Sequence, residues 1–193
     1  MPLNPIVTTP IMYSALNGAG IFGALSISLA EALSSAICTY GTTSMNVSTI
    51  DIGVLGVGKG FGAGVFLPIP VLEMSLQSFL PAYGILGVST PQLITGIAMG
   101  YNQILATAVI NTIHTTVGMG AGKLTIFPNT LIAIQTYITA FAAAGLVGSM
   151  AISLATAIAS GLDPALSSAS GVVAIVGSPS IFPSAGVGFG KLL

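Results

Sequence analysis

Gly20-Ile21-Phe22-Gly23 recurs as Gly84-Ile85-Leu86-Gly87 and again as Gly145-Leu146-Val147-Gly148, each time after a stretch that reads as helix. The copies start 64 and 61 residues apart. A second marker keeps nearly the same step. Gly56-Val57-Gly58-Lys59, Gly120-Ala121-Gly122-Lys123 and Gly188-Phe189-Gly190-Lys191 are spaced by 64 and 68 residues, and together they hold all three lysines of the chain. Self-similarity at a fixed period is the mark of tandem units. The reading is a single domain, 1–193, made of repeat 1 (1–67), repeat 2 (68–127) and repeat 3 (128–193), each about 65 residues long, with Pro68 and Pro128 as punctuation.

Each unit has the same internal grammar. A first helical segment (10–19, 69–82, 130–144) ends at the Gly-x-x-Gly turn, where glycine supplies the left-handed backbone that closes a helix. A second follows over 24–38, 91–113 and 149–161, and Thr90-Pro91 provides an N-cap with proline at the first helical position. In the third unit Asp163-Pro164 caps a further short helix to about Ser168. Extended, β-branched sequence comes next (48–55, 115–117, 172–176), then the glycine-lysine loop. The expected fold is therefore mainly α with short extended Gly-rich segments. The second helices place Ile and Leu on one stripe and Ala, Ser or Thr on the other, which suits helices packed closely on all sides.

Only seven of the 193 residues are charged: Lys59, Lys123, Lys191, Glu31, Asp51, Glu73 and Asp163. That is 4 % of the chain, against about 25 % in a soluble domain. With no arginine and three scattered lysines, nucleic acid is excluded as a partner on charge grounds. A 53 % apolar content and mean hydropathy of +1.01 rule out disorder. One cysteine, Cys38, makes no internal disulfide, and one histidine builds no zinc site, so neither metal nor cofactor is expected. The start, Met1-Pro2-Leu3-Asn4-Pro5, lacks the positive segment of a secretory signal.

No motif carries chemistry. Gly53-x-x-x-x-Gly58-Lys59 has phosphate-loop spacing, but Gly60 stands where Ser or Thr would hold magnesium, and the copies at Lys123 and Lys191 lack the first glycine. Glu31 aligns with Thr95 and Thr156, and Glu73 with Thr9 and Ile134, so each carboxylate is peculiar to one unit and reads as a local pairing or solvated edge. Nothing arranges a nucleophile and an acid around His114, Asp51 and Asp163 have no partner by spacing, and Cys38 reads as a small buried hydrophobe. No catalytic residue is assigned and an enzyme is not expected.

So apolar a chain belongs in a bilayer or among other proteins. For the bilayer, Leu124–Leu162 contains no charged residue. Against it, tryptophan is absent, there is no basic asymmetry between loops, and Pro81, Asn102, Gln103, Asn111 and Gln135 interrupt the helices. The opening Met1-Pro2-Leu3-Asn4-Pro5, the tracts Gly56-Val57-Gly58-Lys59 and Gly186-Val187-Gly188-Phe189-Gly190-Lys191 and the Ala/Ser-rich helices resemble the small, low-charge virion structural proteins of tailed bacteriophages, of the tail and baseplate type. That resemblance implies a non-enzymatic assembly component without a cofactor, located in the virion after assembly in the host cytoplasm. Its partners would be other proteins of the particle and copies of itself. The Gly-x-Gly-Lys loops, at Gly56, Gly58, Lys59, Gly120, Gly122, Lys123, Gly188, Gly190 and Lys191, are the candidate contacts with neighbours, and the turn glycines are Gly20, Gly23, Gly84, Gly87, Gly145 and Gly148. The alternative is a multi-pass membrane protein, a channel or carrier.

Overall fold

The structure, a computed structural model, describes residues 4–43, 46–53, 60–67, 71–106, 109–116, 119–125, 130–167, 170–176 and 185–192. They are mainly helical. The six helices are α1 (Pro5–Gly18), α2 (Ala24–Thr43), α3 (Val71–Ala82), α4 (Thr90–Ala106), α5 (Thr130–Ala143) and α6 (Ser149–Ser167). The strands are β1 (Asn46–Gly53), β2 (Gly60–Leu67), β3 (Val109–Thr116), β4 (Met119–Thr125), β5 (Ser170–Val176) and β6 (Ala185–Leu192). Two helices followed by two strands is an order met three times along the chain.

Helix α1 begins earlier than the sequence reading placed it. Asn4 is an N-cap whose side-chain oxygen accepts from the Ile6 N–H at 2.9 Å, and Pro5 occupies the first turn, where its missing N–H is no loss. The first helix of each pair ends in the same way. The Ile21, Ile85 and Leu146 N–H groups donate to the carbonyls of Leu16, Leu80 and Phe141, while the Gly20, Gly84 and Gly145 N–H groups donate to Asn17, Pro81 and Ala142. This crossed pair of bonds requires a left-handed residue, and the three glycines have φ of 82°, 78° and 86°. The hydrophobic residue just past each glycine packs back onto the core.

Three further helices differ from the sequence expectation, α2 by running on to Thr43 instead of stopping at residue 38. The segment 91–113 does not stay helical: α4 stops at Ala106, and Val109–Thr116 is strand β3, because Val109, Ile110, Thr112 and Ile113 are β-branched and favour the extended backbone. Conversely, α6 runs on past Asp163-Pro164 to Ser167 instead of restarting there.

Each helix touches two neighbours, α1–α2–α3–α4–α5–α6 and back to α1, so the helical layer closes into a ring. The core has a regular composition. Thr8, Met12 and Leu16 of α1, Leu72, Leu76 and Leu80 of α3, and Ala133, Tyr137 and Phe141 of α5 are all buried, at steps of four residues that keep one face of each helix inward. Large residues on one helix meet small ones on the next. A Cβ on Gly96 would overlap the Phe141 ring, one on Gly100 the Tyr137 ring, and one on Gly161 would come within 3.0 Å of the Met12 sulfur.

The strands form a closed antiparallel barrel in chain order, β6 pairing with β1. Closure leaves no edge for another chain to extend. The ring and barrel are laced together out of step: α4 contacts β2, α6 contacts β4, and α2 contacts β6.

Candidate functional site

Barrel register decides where the glycine-lysine motifs stand. Gly120, Gly122 and Lys123 lie on β4, and Gly188, Gly190 and Lys191 on β6, as strand rather than loop; alternating Gly suits a strand approached closely by its neighbours. Gly56, Gly58 and Lys59 lie outside the described residues. The register also supplies a different correspondence from the one read by spacing. Gly62 pairs with Asp51, Gly120 with His114 and Gly188 with Ile175. Two residues on, Gly64 pairs with Thr49, Gly122 with Thr112 and Gly190 with Val173. The first strand equivalent to Gly120-Ala121-Gly122-Lys123 is thus Gly62-Ala63-Gly64-Val65, and Val65 occupies the place of Lys123 and Lys191. Lysine is shared by two of these strands, not three.

The turn glycines gather at the opposite end of the helices from the barrel, since each first helix runs away from the strands and each second helix returns. Gly23 and Gly148 have φ of 103° and 108°, which no side-chain-bearing residue adopts readily, whereas Gly87 is not in that region. Between the two glycines of each turn the first residue is inward and the second faces out: Phe22 is 73 % exposed, Leu86 74 % and Val147 79 %. Turn tips ordinarily carry polar residues. Here they carry apolar ones.

Behind these tips lies an open cavity of about 440 Å³. Leu29 of α2, Leu93 of α4 and Leu154 of α6 line it, one from each second helix, with Val88, Val147 and Met150 at its rim. Among the described residues no ionisable side chain lines it. A second hollow of about 400 Å³ lies along α3 and α4, lined by Glu73, Gln77, Thr90 and Thr95 among others. Within it Thr95 donates to a Glu73 carboxylate oxygen at 3.2 Å, so Glu73 is held by a hydroxyl of the neighbouring helix and complements the N-terminal end of α3.

The remaining polar groups are arranged for packing. Burial pushes the Cys38 thiol above its usual range, although its hydrogen-bond contact with Thr8 at 3.3 Å pulls the other way. Burial likewise raises the Tyr101 phenol well above its ordinary value, with Tyr40 edge-on at 5.8 Å. Neither group supplies a thiolate or phenolate near neutral pH. Thr136, Thr139 and Thr156 donate to the carbonyls four residues earlier, each at 2.9 Å, so these hydroxyls are satisfied within their own helices. Among the described residues no three His, Cys, Asp or Glu side chains come together as metal ligands, and no helix is long and apolar enough to cross a membrane. Compared with protein families, curated proteins and solved structures, the chain matches none.

Proposed function

We propose that this chain is a non-enzymatic structural subunit of a large protein assembly, a tail or baseplate component of a bacteriophage virion, seated among other proteins of the particle. It is built as three tandem repeats in a quasi-threefold arrangement, each contributing a helical hairpin to the ring and two strands to the barrel. The observation that carries the reading is the helix-hairpin end: three equivalent turns present Phe22, Leu86 and Val147 to the outside without an ionisable residue among them. Apolar patches of this kind on a water-facing surface mark sites of association. The low charge of the whole chain supports the same reading, because a subunit covered by neighbours needs little ionic surface for solubility.

Gradient sedimentation of native material tests this directly. The chain is expected to travel with intact particles and to stay with them after detergent washing. Flotation with membranes, or recovery only as an isolated monomer in buffer, would overturn it.

A further inference from the structure

We propose that Asp51 of β1 and His114 of β3, an acid from the first repeat and a base from the second set on one face and at one level of the barrel, act as a proton-linked clasp. The inference goes beyond the assembly reading and does not rest on it. Asp51 pairs with Gly62 and Gly62 with Thr112, while Gly60 pairs with His114. Directly paired residues of an antiparallel sheet share a face, as do residues two apart along a strand, so Asp51 and His114 stand on the same one. Between them β2 contributes only glycine to that face, at Gly60, Gly62 and Gly64.

The level follows from the register. Continued from Asp51 through Gly62, Thr112, Gly122 and Gly171, the paired row reaches Leu192, six residues from Gly186, the β6 partner of Asp51. Over six strands that is a shift of one residue per strand. The position on β3 level with Asp51 is therefore two beyond Thr112, which is His114, and on β5 it is four beyond Gly171, which is Ile175. The three repeats fill one equivalent position with an acid, a base and an apolar residue. Six strands enclose less space than the roughly eight whose interior side chains just fill. The face that closes inward at this width is the one bearing the glycines of β2, β4 and β6, since the other carries Phe61, Met119, Phe189 and Lys191. The curvature is tight: with β2 between them, Cα atoms of β1 and β3 still come within 8 Å, less than the ~10 Å of two strand spacings in a flat sheet.

Among the described residues no other titratable residue shares this face. β2 and β5 contain none, and Lys123 on β4 and Lys191 on β6 pair with Asn111 and Val172 on the opposite face. Glu31, Cys38, Tyr40, Tyr101 and Asp163 belong to the helices, which lead into β1 and β3 five residues before Asp51 and His114. Lys59, next to Gly60 in sequence, lies outside the described residues and is the rival partner for Asp51.

His114 is the chain's one histidine, so NMR follows its titration directly in the purified full chain. Pairing favours the imidazolium in the folded state. The stability it contributes is complete below the ~6.5 of an unpaired imidazole and is lost as pH rises through the higher folded value; on the acid side it is lost as pH falls below the ~3.9 of a free aspartate. The wild type is expected to titrate above about 6.5 and to melt at a higher temperature at about pH 5.5 than at about pH 8.5. Asp51→Asn is expected to weaken the proton affinity of His114 by about threefold or more and to remove the difference in melting. A wild-type midpoint below that of free imidazole, or a smaller change in Asp51→Asn, overturns the clasp; the second is the result expected if Lys59 holds Asp51 instead. Should Asp51→Asn lose its cooperative melt, His114→Gln takes its place and is expected to abolish the advantage at the lower pH. An advantage that survives His114→Gln overturns the clasp.

Discussion

Two crossings in the helical ring solve one packing problem with different residues. Where α4 meets α5, Gly96 and Gly100 lie under the rings of Phe141 and Tyr137. Where α2 meets α3, the corresponding positions are Ala32 and Ala36 on one helix and Leu80 and Leu76 on the other, all of them buried. The α6–α1 crossing is intermediate, with Ala157 and Gly161 on α6 and Leu16 and Met12 on α1. Between the first two crossings the small residue shrinks as its large counterpart grows, so the sum of the two volumes is nearly kept, because interiors packed to crystal density tolerate neither an extra methyl nor a missing one. At Gly161 the space beside Met12 is shared with the Ala15 methyl, 3.2 Å from where a Cβ would stand.

The comparison is broken most severely by adding volume on the aromatic side. Gly100→Ala drives a methyl into the Tyr137 ring, and we expect a loss of about 2–3 kcal/mol in urea unfolding, near the upper end for overpacking. The same experiment sharpens the comparison when Tyr137→Leu is added. Gly100→Ala with Tyr137→Leu recreates the pair found at Ala36 and Leu76, so the double variant should lose at least ~1 kcal/mol less than the two single changes added together. Strict additivity would show that volume matching is not the rule.

Next in size are the turns. Gly145→Ala places a side chain at φ 86°, at a cost of roughly 1–2 kcal/mol. Asn4→Ala removes the cap of α1 and should destabilise by about 1 kcal/mol. Smallest of all is Gly87→Ala. Gly87 lacks the positive φ of Gly23 and Gly148, and its nearest neighbour for a new methyl is the Thr90 hydroxyl at an ordinary 3.8 Å, so a change within ~0.5 kcal/mol is expected. A thermal melt of the three single variants ranks them, and a Gly87→Ala protein as unstable as Gly145→Ala would show that the second turn is under the same strain.

Gly87 also shows how far the sequence could be trusted. The Gly-x-x-Gly spelling located all three turns because a helix closed by a left-handed residue needs glycine at its first position. The second glycine is conformationally required in only two of the three copies, and spelling alone does not separate them. The strands were harder to read. Glycine removes the side-chain alternation by which a strand is recognised, so β4 and β6 read as loops, and the β-branched run from Val109 was absorbed into the preceding helix. The lysine correspondence misled for a related reason. Glycine alternates from Gly56 to Gly64 and so spells Gly-x-Gly four times over, and only hydrogen-bond register selects Gly62-Ala63-Gly64 over Gly56-Val57-Gly58. Asn4-Pro5 carries the same kind of cap and proline signal that was used at Thr90-Pro91, and it was legible. The exposed knobs had a signal as well: Phe22, Leu86 and Val147 are apolar at positions where a turn usually places polar residues.

The out-of-step lacing of ring and barrel has a consequence for how the molecule comes apart. Because α4 rests on β2, α6 on β4 and α2 on β6, each third of the polypeptide uses the preceding third as its footing, and the circle of supports has no first member. Loosening any hairpin withdraws the footing from the next, so partial opening has nowhere to stop and amide exchange in the buried helices should share a single global rate.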